Sequence, residues 1–214
     1  CAALVALAAQ TCQSTTLQFR GRTADPERAF ERLTVAEAFE KYAKIDLLAT
    51  TPNGQPDTEA LRWRVHEAGL RSAPDDQWSD LFSRVLVEKI EPYLGLGRVC
   101  CLYDYPAHEA ALARRKPDNP LLSERFELYA CGVELANAFG ELTDPVEQRA
   151  RFEADMQLKH RIYGVAYPID ADFLAALSAM PPTSGIALGF DRLVMLCLGA
   201  PRITDVIWTP LALS

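Results

Sequence analysis

Residues 184–208 read SGIALGFDRLVMLCLGAPRITDVIW, and this stretch decides the fold. Gly185, Ala187 and Gly189 stand two apart. A strand puts such positions on one face, so that face is nearly bare while Ile186, Leu188 and Phe190 occupy the other. Small residues let a ligand lie directly against the backbone. Asp191 and Arg192 follow, then the apolar run Leu193 to Leu198, with Gly199 placed as a helix C-cap. A bare strand leading to an arginine at a helix start suits a planar, anionic ligand such as a nucleotide. The strand alone is equally compatible with an ordinary buried strand–helix unit whose small residues serve close packing.

Working outward, the 214 residues are enough for one sizeable domain with a real core. The balance of 49% hydrophobic and 24% charged residues is that of a globular protein. A formal net charge of −7 with no basic run argues against general nucleic-acid binding. The six cysteines form no CxxC pair and the three histidines, His66, His108 and His160, are scattered, which argues against zinc. Cys131 and Cys197 sit in apolar surroundings and read as small core residues; a reducing, cytoplasmic setting fits this usage. The opening run CAALVALAAQTC is too short to span a membrane and reads as the tail of an amphipathic helix. Starting inside a helix pattern without Met, the chain reads as a piece of a longer protein.

A strand or hairpin is expected around Thr15–Phe19. Thr34 as N-cap with Glu37 completes a capping box. Residues 49–58 form a loop, and helices follow near 57–70 and 76–89. Trp78, Leu81, Phe82, Val85 and Leu86 recur at helical spacing and mark core. Arg98 to Tyr105 reads as one buried strand, and Phe126 to Phe139 as a hairpin turning near Gly132. Asp144-Pro145 opens a helix running to about Tyr163, and a short helix near 170–179 precedes the bare strand. The expected class is α+β, an antiparallel sheet flanked by helices, with the helices on one side.

The hairpin holds Glu127, Glu134 and Glu141 in the stretch RFELYACGVELANAFGELTD. Glutamate is disfavoured in strands and seldom buried without a partner. Carboxylates are hard ligands for Mg²⁺ and natural partners for an ammonium group. The competing reading is three solvent-facing glutamates on an edge strand. Glu134 and Asn137 are an odd number apart, so a regular strand would separate them. If both serve one pocket, the strand must break or bulge near Asn137–Ala138.

The glycine-spaced strand running into Arg192, with ITDVIW and Pro210 behind it, resembles motif 3 of class II aminoacyl-tRNA synthetases of the lysine and aspartate branch. FELYACGVELANAFGEL resembles the lysyl-tRNA synthetase family, and in particular its shortened branch that attaches lysine to elongation factor P. The resemblance covers roughly residues 30–210, most strongly from about 98, and implies the 214 residues are the C-terminal part of such a catalytic domain, with a mostly helical insertion at about 35–95. It implies ATP and Mg²⁺ as cofactors, with Glu127 and Glu134 as metal ligands on ATP, Gly189 beside the nucleotide, and Arg192 as the clamping, catalytic arginine. For the substrate it implies Asn137 at the main-chain end of the amino acid, Phe139 as a wall, Glu141 against the side-chain ammonium, and Glu134 and Ala187 in the same pocket.

Ala187, where lysyl-tRNA synthetases carry glycine, and the phrasing of VEQRARFEADMQLKHRIYGVAYPID favour the elongation factor P branch. Ala138 follows Asn137 where the family has glycine, and Ala111 stands where serine is expected. His108 reads as a loop histidine, because amino acid activation needs no protein base. The implied activity is activation of lysine or β-lysine and transfer to a lysine of elongation factor P. Transfer to tRNA, and a non-catalytic paralogue that binds only a nucleotide or partner, are the alternatives. The parent is expected to be a homodimer without a membrane association. Motif 1 and motif 2 are not found: Arg62, Arg64 and Arg71 lack the motif 2 surroundings. The 214 residues alone are therefore expected not to form an adenylate.

Overall fold

The structure, a computed structural model, describes residues 1–110 and 112–209. Ala111 and Pro210, both read above, lie outside the described residues. Helix α1 (Ala2–Thr11) leads into the hairpin β1 (Leu17–Phe19) and β2 (Arg22–Asp25), then β3 (Glu31–Thr34). A helical segment follows: α2 (Val35–Ala38), α3 (Thr58–Glu67) and α4 (Trp78–Val85), with single π turns at Phe39–Ala43 and Leu86–Ile90. Next come β4 (Gly97–Arg98), β5 (Cys100–Tyr103), β6 (Arg125–Ala130) and β7 (Val133–Gly140). The chain closes with α5 (Pro145–Tyr163), α6 (Ala171–Leu177), β8 (Ser184–Leu188) and α7 (Phe190–Leu198). Among the described residues, no helix is long and apolar enough to cross a membrane.

The sequence signals for the ends hold in detail. Thr34 Oγ1 accepts from the Glu37 N–H at 3.1 Å while the Glu37 carboxylate accepts from the Thr34 N–H at 2.8 Å. Asp144 caps α5 through Val146 and Glu147. Gly199 ends α7 in the left-handed region at φ 62°.

Three expectations are corrected. The five-stranded sheet, in the order β3-β5-β6-β7-β8, is mixed, because β3 pairs with β5 in parallel; the smaller sheet β1-β2-β4 has a parallel pair as well. Arg98 to Tyr105 is accordingly not one strand. Residues 97–98 pair with β2, the chain changes sheet at Val99, and β5 ends before Asp104, whose φ is 61°.

Helices also cover both faces of the large sheet rather than one. Leu33, Leu102 and Tyr129 pack with Phe39, Leu61, Trp78, Leu81 and Phe82 on one face. Leu128, Ala130 and Ala136 pack with Val5, Ala9, Leu193 and Leu196 on the other. The last four residues of β6 are all buried, the run expected of a strand enclosed on both sides.

The β6–β7 turn is two residues long, with Cys131 at φ 56° and Gly132 at φ 74°. Two positive φ values match the hairpin turn whose twist suits flanking strands. A cysteine rarely adopts this conformation. Here it is held because the Cys131 and Gly132 N–H groups donate to the carbonyls of Gly95 and Leu94 at 2.8 Å each.

Candidate active site

The site is built by one irregularity in β7. Glu127 pairs with Asn137 and Leu128 with Ala136, but Tyr129 pairs with Glu134. Leu135 is thus an extra residue on β7, a β-bulge. It shifts the alternation by one and brings Glu134 to the same face as Asn137 and Phe139. The break was expected at Asn137–Ala138; it lies at Leu135 instead. Leu135 is buried in the core behind the sheet, and its carbonyl accepts from the Gly189 N–H at 2.8 Å. Asn137 and Ala138 stay in regular pairing on both sides, and the Ala138 methyl, 4% exposed, belongs to the rear face. Alanine at 138 therefore needs no special backbone freedom.

Asn137 pairs with Ala187, and Phe139 with Gly185, across β7 and β8. One face therefore gathers Glu127, Glu134, Asn137, Phe139 and Glu141 around the small residues of β8. Gly189 caps α7, and a Cβ there would crowd the Arg192 side chain at 3.3 Å. Its absence lets Arg192 fold back across the strand end, where Nη1 donates to the Glu134 carbonyl at 2.9 Å and meets Glu134 Oε2 at 3.3 Å.

Glu127 is 5% exposed on a central strand, which removes the edge-strand reading for this residue. Its Oε2 accepts from the Tyr105 and Tyr129 hydroxyls, both at 2.6 Å. Its Oε1 accepts from Arg125 Nη2 at 2.7 Å. Burial first, then the Glu127 charge, pushes the Tyr105 hydroxyl well above its ordinary value. Burial, then Tyr105 and Glu127, does the same to Tyr129. Both hydroxyls therefore stay protonated donors.

A carboxylate offers about four lone-pair sites, so Glu127 keeps one on Oε1. Glu134 Oε1 has no hydrogen-bond partner among the described residues. Mg²⁺ is commonly held by one or two carboxylates together with substrate phosphates, and these hard oxygen donors fit it.

Glu141 lies just past β7, part-exposed, its N–H donating to the Thr183 carbonyl at 3.1 Å. Its carboxylate leans over Gly185, so that a Cβ on Gly185 would collide with Oε1. No described residue hydrogen-bonds or ion-pairs with this carboxylate.

Four further residues were missed from sequence. Arg125, Tyr105 and Tyr129 grip Glu127. Glu91 Oε1 lies 3.3 Å from the Tyr129 hydroxyl. Burial chiefly, with the Glu127 and Glu134 charges, raises the Glu91 pKa against the lowering effect of Tyr129. The only signal for Glu91 was a glutamate before Pro92; Arg125 and Tyr105 carried none, since their roles depend on register.

His108 is exposed on a short turn with its ring edge against Trp78. Arg62 is occupied by the carbonyls of Ala73 and Asp76. A cavity of about 490 Å³ lies behind the sheet, bordered by Cys101, Phe126, Ala138 and Ile186, and none of Glu127, Glu134, Glu141 or Arg192 lines it.

A family model described as tRNA synthetases class II (D, K and N) matches residues 2–212. The chain belongs to the class II tRNA synthetase family. Among its relatives is the elongation factor P (R)-β-lysine ligase of Proteus mirabilis, 42% identical over 185 residues, covering 85% of this chain and 55% of that protein. The corresponding ligase of Erwinia tasmaniensis is 41% identical over 181 residues, 83% of this chain and 54% of its own. A lysine–tRNA ligase of Dehalococcoides mccartyi is 39% identical over 197 residues, 91% of this chain and 38% of its own. The chain thus spans about half the length, or less, of these relatives. The α+β class expected from sequence stands, and the resemblance drawn from motif 3 and the acidic hairpin agrees with the family.

Proposed function

We propose that the protein carrying this chain activates a lysine-type amino acid with ATP, giving an aminoacyl-adenylate and pyrophosphate, and passes the acyl group to a lysine ε-amine of elongation factor P, forming an amide as AMP leaves. The observation that carries this reading is the Glu141 carboxylate over Gly185, without a hydrogen-bond or ion-pair partner among the described residues, on the face it shares with Asn137. Asn137 and Glu141 are four positions apart with Phe139 between them, so an elongated ligand lying along this face can meet a polar group at each end and an apolar wall along its stem.

In this reading Asn137 holds the carboxylate end, Phe139 walls the aliphatic stem and Glu141 pairs with the ammonium. Glu127 and Glu134 would hold Mg²⁺, which supplies charge neutralisation on the phosphates. Arg192 leaves Glu134 to meet a phosphate of ATP. Both partners of that pair are part-exposed, so opening it costs about 1 kcal/mol or less. The amino acid carboxylate is already ionised and attacks the α-phosphorus without a protein base, while pyrophosphate leaves. Alignment and electrostatics carry the step.

The names of the Proteus and Erwinia relatives support elongation factor P as acceptor. The Dehalococcoides relative, matched over a larger share of the chain, favours the second reading, transfer to tRNA. On family resemblance the protein acts as a homodimer.

The test is ATP–pyrophosphate exchange by protein expressed from the complete gene, with α-lysine and β-lysine, followed by transfer assays to elongation factor P and to tRNA. Exchange with neither amino acid would remove the proposal; charging of tRNA alone would select the second reading. Ala187 stands directly opposite Asn137, at the main-chain end of the ligand. Ala187→Gly is expected to change the ratio of exchange rates for the two isomers about tenfold, since one methyl in a pocket discriminates by roughly 1–3 kcal/mol, with the KM for ATP unmoved. An equal response of both isomers would make the methyl mere packing.

A further inference from the structure

Arg125 makes more contacts on the candidate face than any residue read from sequence. Nη2 donates to Glu127 Oε1 at 2.7 Å, Nη1 to the Glu109 carbonyl at 2.6 Å and Nε to Asn137 Oδ1 at 3.3 Å. Its guanidinium lies over the Tyr105 ring at 4.3 Å and over Phe139 at 5.7 Å. The planar fork is therefore fixed on three edges and one face.

Guanidinium has five donors and no acceptor. The amide of Asn137 must turn its oxygen toward Arg125, and its NH₂ away. On a face bordered by Ala187 and Gly185, that NH₂ is the group a ligand meets, and it can only donate. The position then selects a carboxylate or carbonyl oxygen and rejects an amine. The opposite amide orientation would put two donors together and lose the hydrogen bond.

We propose that Arg125 is a positioning residue that sets the Asn137 amide for a carboxylate and locks it to the metal-binding carboxylate Glu127. The inference rests on the reading of the site as a lysine and ATP–Mg²⁺ pocket. It goes further in assigning the polarity of the substrate's main-chain end to a residue that touches neither substrate nor metal. Tyr105 and Tyr129 complete the lock from the other oxygen of Glu127, so that the two halves of the pocket share one rigid support.

Lysine and guanidinium are not interchangeable here. The ammonium of Arg125→Lys can satisfy Glu127 but cannot at once form the fork that reaches Asn137. Two ligands separate the consequences. Lysine uses both Asn137 and Glu141; 1,5-diaminopentane has the stem and the ammonium groups but no carboxylate for Asn137. In protein expressed from the complete gene, Arg125→Lys is expected to weaken lysine binding about tenfold or more, the scale of a hydrogen bond to a charged group, and to leave 1,5-diaminopentane binding within about twofold. The Mg²⁺ concentration for half-maximal exchange is expected to stay near wild type in Arg125→Lys and to rise in Arg125→Gln, which loses the charge beside Glu127. Asn137→Ala combined with Arg125→Lys should weaken lysine little more than Asn137→Ala alone, because the two act as one unit. Equal weakening of lysine and 1,5-diaminopentane would overturn the proposal and leave Arg125 a structural residue. Additive losses in the double variant would overturn it too. Failure of the wild type to bind either ligand would instead remove the reading of the pocket on which the proposal stands.

Discussion

Replacing Glu127 by glutamine is expected to lower lysine-dependent ATP–pyrophosphate exchange by about 10²–10³, the cost of losing one preorganised charge-stabilising group. The effect is large because no oxygen of Glu127 is idle. Three donors, from Tyr105, Tyr129 and Arg125, converge on it. An amide would turn an NH₂ group toward either the two hydroxyls or the guanidinium. The variant thus loses the ligand's charge and disturbs what orients it. Tyr129→Phe, which removes one donor and keeps the carboxylate, is the companion measurement, and should cost far less. An exchange rate within threefold of wild type for Glu127→Gln, at unchanged Mg²⁺ dependence, would remove Glu127 from the metal site.

The second large effect is expected at Glu141. Glutamine there should raise the KM for lysine about ten- to a hundredfold, the value of a charge-assisted hydrogen bond of roughly 1.5–3 kcal/mol, while the KM for ATP stays put. The carboxylate is part-exposed, which limits the loss to this range. Discrimination against norleucine, which matches lysine in shape and lacks the ammonium, should shrink by the same factor. A lysine KM unchanged by Glu141→Gln would reassign that carboxylate to the surface.

Local rules were enough for most elements. The capping box at Thr34, the Asp144-Pro145 start of α5 and the Gly199 stop of α7 follow from backbone groups that need partners at helix ends. The bare face of β8 followed from period-two spacing alone. What failed was non-local. Nothing in RVCCLYDY marks that Val99 carries the chain from one sheet to another, because that depends on where β2 and β3 lie. The coverage of the sheet on both faces was hidden in the same way, although the buried run in β6 was a hint. At the site, the residue types were legible in Glu127, Glu134, Asn137 and Glu141, and the odd spacing showed that a bulge was needed. Its place was not, since Leu135 is chosen by the Gly189 N–H and by a core on the far side. Arg125, Tyr105 and Glu91 were illegible because their meaning lies in who stands opposite.

A strand can be treated as a two-valued signal, front and back, and Leu135 as a half-period slip in its phase. Residues up to Glu134 are written in one phase and residues from Asn137 onward in the other, yet both are read on one surface. Removing Leu135 would leave the composition of the hairpin almost untouched and send Glu134 to the back of the sheet. Anyone transplanting this pocket to another scaffold has to copy that slip along with the visible side chains, and any comparison of hairpins that closes the gap at this residue would superimpose a front on a back. The information in the site is thus partly an offset, stored in a leucine that no ligand touches.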